Sequence, residues 1–321
     1  MSVLVTGASG YLGGAVATAL VARGDEVRTL QRRPSRVPGA QDHLGSIEDP
    51  ALVSRALEGA DTVVHLAAKV SLAGQTRDFA RVNVDGTRAL LAAAKSSGVT
   101  RFVQVSSPSV AHAGAALTGV GAEPASPDHA RGDYARTKAR GELLALAADD
   151  DRLRVVAIRP HLVWGPGDPQ LVTRIVARAR AGRLPLIDGG TALIDSTYID
   201  NAVTAIIAGA DRADVAHGRA FVVTNGEPRP VGELIAGMCR AAGVAPPSWS
   251  VPGWLARGAG TVVERVWAVR PGADEPPMTR FLAEQLSTAH WFDLRETRAA
   301  LDWSPAVSLD EGFERLAASF A

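Results

Sequence analysis

Tyr134 and Lys138 stand four residues apart in Tyr134-Ala135-Arg136-Thr137-Lys138, a spacing that puts two side chains on one face of a helix. A free phenol titrates near pH ~10, too high for proton transfer at neutral pH, and a neighbouring ammonium stabilises the phenolate and lowers that value. Upstream, Val103-Gln104-Val105-Ser106-Ser107 reads as a strand that ends in a pair of hydroxyls. An open α/β sheet binds ligands at the C-terminal edge of its strands. Ser107 is therefore expected to hydrogen-bond a substrate carbonyl oxygen beside Tyr134. Ser106, and Ser109 beyond Pro108, are read as structural.

A second constellation lies at the start of the chain. Thr6-Gly7-Ala8-Ser9-Gly10-Tyr11-Leu12-Gly13 falls where a first strand hands over to a first helix. Glycines there allow a tight turn and a close approach of backbone N–H groups to a pyrophosphate, which the helix N-terminus also attracts. The pattern is GxxGxxG, and Gly7, Ser9, Gly10, Tyr11, Leu12 and Gly13 are the candidate phosphate-side residues. After the second strand comes Leu30-Gln31-Arg32-Arg33, with no carboxylate. An acid at this place binds a ribose 2′-hydroxyl and repels a 2′-phosphate, whereas arginine clamps one. The expected cofactor is NADP(H), with Arg32 favoured over Arg33 as the phosphate ligand.

These groups need rigid elements to hold them. Short β-branched runs near residues 3–5, 26–30, 62–65, 101–105 and 154–159 alternate with helical patterns near 11–23, 50–57, 77–97 and 133–147. That alternation implies βαβ units and a doubly wound parallel sheet, an α/β Rossmann fold. Beyond Pro160 the texture changes: prolines and glycines punctuate the chain, and all six tryptophans lie there. A smaller substrate lobe is expected from residues 166–194 and 226–321. Residues 1–165 form the dinucleotide-binding domain, to which 195–225 return. The aromatics either line a pocket for an apolar ligand or fill a core. Residues 254–269 read as an amphipathic helix: a lid, a surface for membrane or partner enzymes, or a helix packed on its own lobe.

Composition excludes several classes. Lys plus Arg and Asp plus Glu number 34 each, so bulk charge gives nucleic acid no attraction. A single cysteine, Cys239, rules out an internal disulfide and a cysteine-rich metal site, and no metal is expected. No signal peptide or membrane-spanning run is read, and a cytoplasmic location is expected.

The glycine loop, His65-Leu66-Ala67-Ala68, Asn83-Val84-Asp85-Gly86-Thr87, the serine pair, YxxxK and Arg159-Pro160 occur in the order and spacing of one family. Over essentially its whole length the chain resembles the extended short-chain dehydrogenases/reductases. The resemblance implies that Ser107 orients the carbonyl, Tyr134 donates the proton, and Lys138 tunes the tyrosine while holding the nicotinamide ribose. It further implies that Leu66, Ala67 and Ala68 pass under the cofactor, that Ser46 and Ile47 border the adenine, and that Pro160, His161 and Leu162 line the nicotinamide end. The family often has Asp where Ser46 stands. Asn83 is read as a support for its loop, and a homodimer through helices 77–97 and 133–147 is implied by analogy.

Residues 195–201, 225–228, 275–280 and 289–293 resemble the 3β-hydroxysteroid dehydrogenase-like branch, and within it the reductases of bacterial long-chain olefin biosynthesis. That likeness implies a hydrophobic substrate, a long-chain 2-alkyl-3-keto acid reduced to the 3-hydroxy acid with NADPH. Pro108-Ser109 follows Ser107 where sugar dehydratases carry an Asp-Glu pair, which argues against dehydration. An oxidative 3β-hydroxysteroid dehydrogenase and a non-catalytic NADP-binding sensor are the alternatives; a nucleotide-sugar epimerase ranks below both. His161 either fixes the nicotinamide end or substrate head group, or packs within its loop.

Overall fold

The computed structural model describes residues 1–70, 75–112, 114–268 and 280–321. Residues 275–279 and Val269, singled out above, lie outside them, as do the side chains of Glu264, Arg265 and Trp267. The strands in chain order are β1 (Ser2–Thr6), β2 (Glu26–Gln31), β3 (Gln41–Leu44), β4 (Thr62–His65), β5 (Arg101–Val105), β6 (Leu117–Val120), β7 (Arg154–Pro160) and β8 (Val163–Trp164). There follow β9 (Leu186–Ile187), β10 (Leu193–Ile194), β11 (Thr197–Tyr198), β12 (Arg219–Val223), β13 (Arg229–Pro230), β14 (Ser250–Val251) and β15 (His290–Phe292).

Seven of them form a parallel sheet in the order β12-β7-β5-β4-β1-β2-β3. Successive strand side chains face opposite ways, so both faces need cover. Val3, Val5, Val103 and Ile158 join one core with α1 (Tyr11–Arg23) and, further along, α7 (Ile199–Asp211). Leu4, Val63, Phe102 and Val155 join the other, with α2 (Pro50–Leu57), α4 (Thr87–Ser96) and α5 (Gly132–Ala147). This is the doubly wound Rossmann-like fold. The winding reverses direction at β1, and ligands bind such sheets at that switch.

The stretch read as one helix near 77–97 is α3 (Thr76–Ala80), a wide π-type turn over Arg81–Gly86, and α4 in continuous succession. Gln41-Asp42-His43-Leu44 escaped the sequence reading because an exposed polar edge strand carries no apolar alternation.

The remaining helices are α6 (Leu171–Arg180), α8 (Ala213–Ala216), α9 (Val231–Ala241), α10 (Gly253–Ala268), α11 (Arg280–Ser287), α12 (Arg295–Leu301) and α13 (Leu309–Ala318). A second sheet runs β13-β10-β15-β6, and two small ladders pair β11 with β8 and β14 with β9. Trp164 is wholly buried, stacked on Phe313 at 4.7 Å, and donates to Ser196 Oγ at 3.0 Å. Trp303 is buried too and donates to Thr204 Oγ1. These two fill the core, whereas Trp249 and Trp254 are exposed. Among the described residues, no helix is long and apolar enough to cross a membrane, and no His, Cys, Asp and Glu cluster could hold a metal ion.

Candidate active site

The glycine loop follows β1 at the switch. Gly7 has φ +78°, and a Cβ there would lie 2.8 Å from Ala67 N and 3.1 Å from Leu66 C. The loop therefore rests directly on Leu66 and Ala67, the segment that follows β4. A Cβ on Gly13 would stand 2.4 Å from Gly7 O. No side chain caps α1 at Gly10, so the first-turn amides of Tyr11, Leu12 and Gly13 are left for an anion. A cradle closed to any Cβ at the mouth of an uncapped helix fits a dinucleotide pyrophosphate. The Tyr11 side chain reaches towards Gly165: its buried hydroxyl would be 2.9 Å from a Cβ there, and burial pushes its titration up.

Arg32 and Arg33 are exposed just past β2. The buried Gln31 amide donates to Thr29 Oγ1 (2.9 Å) and to Asp42 Oδ1 (3.1 Å). Asp42, on the unread strand β3, is a carboxylate near the end of β2 that sequence reasoning missed. Its oxygens are occupied by Thr29 Oγ1, Gln31 and the Ser35 amide. Ser46 Oγ donates to Glu48, and buried Ile47 packs against Gly86.

Beneath the loop runs a buried chain of polar contacts. Thr6 Oγ1 meets His65 Nδ1 at 2.7 Å and accepts from Ala67 N at 3.1 Å. His65 Nε2 meets Thr87 Oγ1 at 3.0 Å, and Thr87 donates to Asn83 O at 2.9 Å. Asn83 Nδ2 donates to Thr137 Oγ1 at 3.0 Å, while its Oδ1 accepts from Lys69 N at 2.8 Å. Thr137 returns its proton to Asp133 O at 2.7 Å, in the first turn of α5. The wide π turn aims Asn83 at both partners. Its interior place, spread over four elements, left no signature in the sequence beyond the NVDGT motif. Burial, then the Lys138 charge, hold His65 down at about 3, so it is neutral.

On α5, Lys138 is buried and its Nζ donates to Val105 O at 2.6 Å. Desolvation lowers it to about 8, against a smaller opposing pull from Glu142. Tyr134 is pushed up to about 12 by burial. The sequence argument expects the ammonium to lower the phenol; here burial is the cause that acts on Tyr134, and it disfavours the phenolate. Ser107, two residues past Val105, caps a 3-10 turn (Pro108–Ala111) that packs against α5. Its Oγ accepts from Ser109 Oγ at 3.0 Å and Ser109 N at 3.3 Å. Ser109 thus leaves the Ser107 proton free to donate outward.

At the end of β7, His161 is buried and Leu162, partly exposed, takes φ +42°. His290 Nε2 faces Gln285 O at 2.7 Å and must donate there. Its Nδ1 then accepts from His161 Nε2 at 2.8 Å, which leaves His161 Nδ1 as an acceptor. Burial holds His290 down at about 4 and His161 well below the usual imidazole range. Arg159 is structural: its guanidinium forms a bidentate pair with Glu142 of α5 (2.5 and 2.9 Å) and donates to Glu123 O at 2.6 Å.

A Rossmann sheet, a glycine cradle at its switch point and a helix carrying Tyr134 and buried Lys138 define a nicotinamide-dinucleotide oxidoreductase of the extended short-chain class. The chain belongs to the NAD dependent epimerase/dehydratase family, whose profile matches residues 3–224. It is 40% identical over 334 residues, 100% of both chains, to the 2-alkyl-3-oxoalkanoate reductase of Stenotrophomonas maltophilia (strain K279a). It is 31% identical to the 3 beta-hydroxysteroid dehydrogenase/Delta 5-->4-isomerase of Mycobacterium tuberculosis (strain ATCC 25618 / H37Rv), over 96% of this chain and 87% of that one. Among solved structures, MoeE5 in complex with UDP-glucose and NAD superposes with a TM-score of 0.77 at 26% identity, covering 99% of this chain and 98% of its own.

Proposed function

We propose that the chain reduces the 3-keto group of a long-chain 2-alkyl-3-keto acid to the 3-hydroxy acid with NADPH. The observation that carries this reading is the end-to-end 40% identity to a protein of that name, on a chain that keeps Ser107, Tyr134 and Lys138. When bound, the reduced nicotinamide supplies the hydride that adds to the carbonyl carbon. Ser107 holds the carbonyl oxygen with the proton that Ser109 leaves free. Tyr134, protonated throughout the neutral range, gives its phenolic proton to that oxygen, and Lys138 stabilises the phenolate. Gly7, Gly10 and the amides of Tyr11 to Gly13 hold the pyrophosphate, and exposed Arg32 clamps the 2′-phosphate. Pro160, His161 and Leu162 border the nicotinamide end, with Ser46 and Ile47 at the adenine. A homodimer through the stretch 77–97, which spans α3, the π turn and α4, and through α5, in the cytoplasm, belongs to the same proposal, and light scattering tests the assembly.

The test offers NADPH or NADH with a 2-alkyl-3-keto acid, a 3-ketosteroid and a nucleotide sugar. Turnover of the keto acid with NADPH is expected; activity on the sugar alone refutes the substrate. Tyr134→Phe is expected to lose about 10²–10⁴-fold in kcat. Removing the charge-assisted contacts of Arg32 by Arg32→Ala should raise the KM for NADPH about tenfold or more and spare NADH. A loss shared equally by both cofactors would refute the arginine's role.

A further inference from the structure

The smaller lobe carries an open cavity of about 460 Å³. Leu186 and Ile187 of β9, Val231 and Ile235 of α9, and Leu286 of α11 form most of its wall, and exposed Trp249 also lines it. Its size lies within the roughly 300–1,000 Å³ of small-molecule sites. Among the described residues its lining contains no hydroxyl, amide or carboxylate side chain, so a sugar or a base entering it would leave polar groups unpaired. The charged residues in the lining are Arg178, half-buried and held below the usual guanidinium range by desolvation, and the exposed Arg183, whose aliphatic stem can cover apolar surface.

The cavity wall is tied to the catalytic edge of the main sheet. Gln285, the residue before Leu286, accepts from His290, and His290 meets His161 at the end of β7. Helix α11 therefore contributes both a wall of the cavity and the anchor of the buried histidine pair.

We propose that this cavity receives one alkyl chain of the substrate, the carbonyl remaining at Ser107 and Tyr134 while the chain runs into the smaller lobe. The inference rests on the long-chain keto-acid reading and deepens it: the lobe selects by length and greasiness. Each methylene moved from water into such a wall is worth about a fourfold change in affinity.

Two variants fill the cavity, Ile235→Trp and Leu286→Phe, the second serving where the first fails to fold. Turnover is followed with 2-alkyl-3-keto acids of increasing chain length, and binding of straight-chain alkanols is followed by calorimetry without turnover. In the unmodified protein kcat/KM is expected to rise roughly fourfold per methylene over the first several carbons. In a filled, folded variant the preference for long over methyl-bearing acids is expected to fall at least a hundredfold, and the alkanol series to flatten. Unchanged chain-length dependence in a folded filled variant overturns the proposal. If no keto acid is turned over, the reaction reading fails by itself. The alkanol series then still decides the cavity: tightening with length only in the unfilled protein supports it, and equal binding in both overturns it.

Discussion

At the scale of single residues, the site holds two groups whose charge burial opposes. The Lys138 ammonium is disfavoured in the folded protein, where burial brings its pKa to about 8 from the ordinary lysine value of 10.5. The folded state therefore releases its proton before the unfolded chain does. The cost is present in full below pH 8 and fades as pH rises from about 8 towards 10.5. Lys138→Met is expected to abolish reduction yet raise Tm by roughly 2–4 °C at pH 7, with the gain shrinking by pH 10. A Tm below that of the unmodified protein at pH 7 would mean that the bond to Val105 O outweighs desolvation. In the unmodified enzyme, kcat/KM for reduction should fall as pH climbs through about 8, when Lys138 loses the charge that supports the phenolate.

Among elements, the decisive contact is between α5 and the π turn. A Cβ on Gly141 would stand 2.4 Å from Asn83 O, and Asn83 in turn grips Thr137 on α5 and Lys69 N after β4. Tyr134 sits two turns before Gly141 on the same helix. Gly141→Ala must push α5 away from that turn, an overpacking cost of about 1–3 kcal/mol. A lower Tm is expected together with at least a tenfold loss of kcat, measured by calorimetry and turnover on one preparation. Gly258→Ala is the matching control: nothing stands within 4 Å of a Cβ there on α10, and helix propensity predicts a gain of about 0.5–1 kcal/mol. How much was readable differs by element. Strands β4 and β5 and helices α1 and α2 were read with their observed bounds because apolar runs and glycine breaks mark them. Strand β3 and the π turn were not, since the first is polar and the second continues a helical pattern without a break.

For the molecule as a whole, the buried Glu142–Arg159 pair binds α5 to β7, and Arg159 also holds Glu123 O beyond β6. Both side chains are almost completely inaccessible, at 0% and 2%. Removing one partner strands a charge in the interior, so Glu142→Ala should cost about 3–5 kcal/mol in urea unfolding. Glu142→Gln should cost less, because its amide still accepts one guanidinium bond. A cost under about 1 kcal/mol for the alanine variant would mean that water reaches the pair.

The alternation of β1, β2, β4, β5 and β7 with their helices, the glycine cradle and the four-residue spacing of Tyr134 and Lys138 were determined by the sequence itself, because local periodicity and backbone freedom are written residue by residue. Which groups meet across the chain was decided only in three dimensions. The Thr6–His65–Thr87–Asn83–Thr137 chain, the His161–His290 pair and the cavity between α9, α11 and β9 each join residues distant in sequence. So was the state of the phenol: desolvation depends on everything packed around a group, and no spacing of neighbours along the chain encodes it.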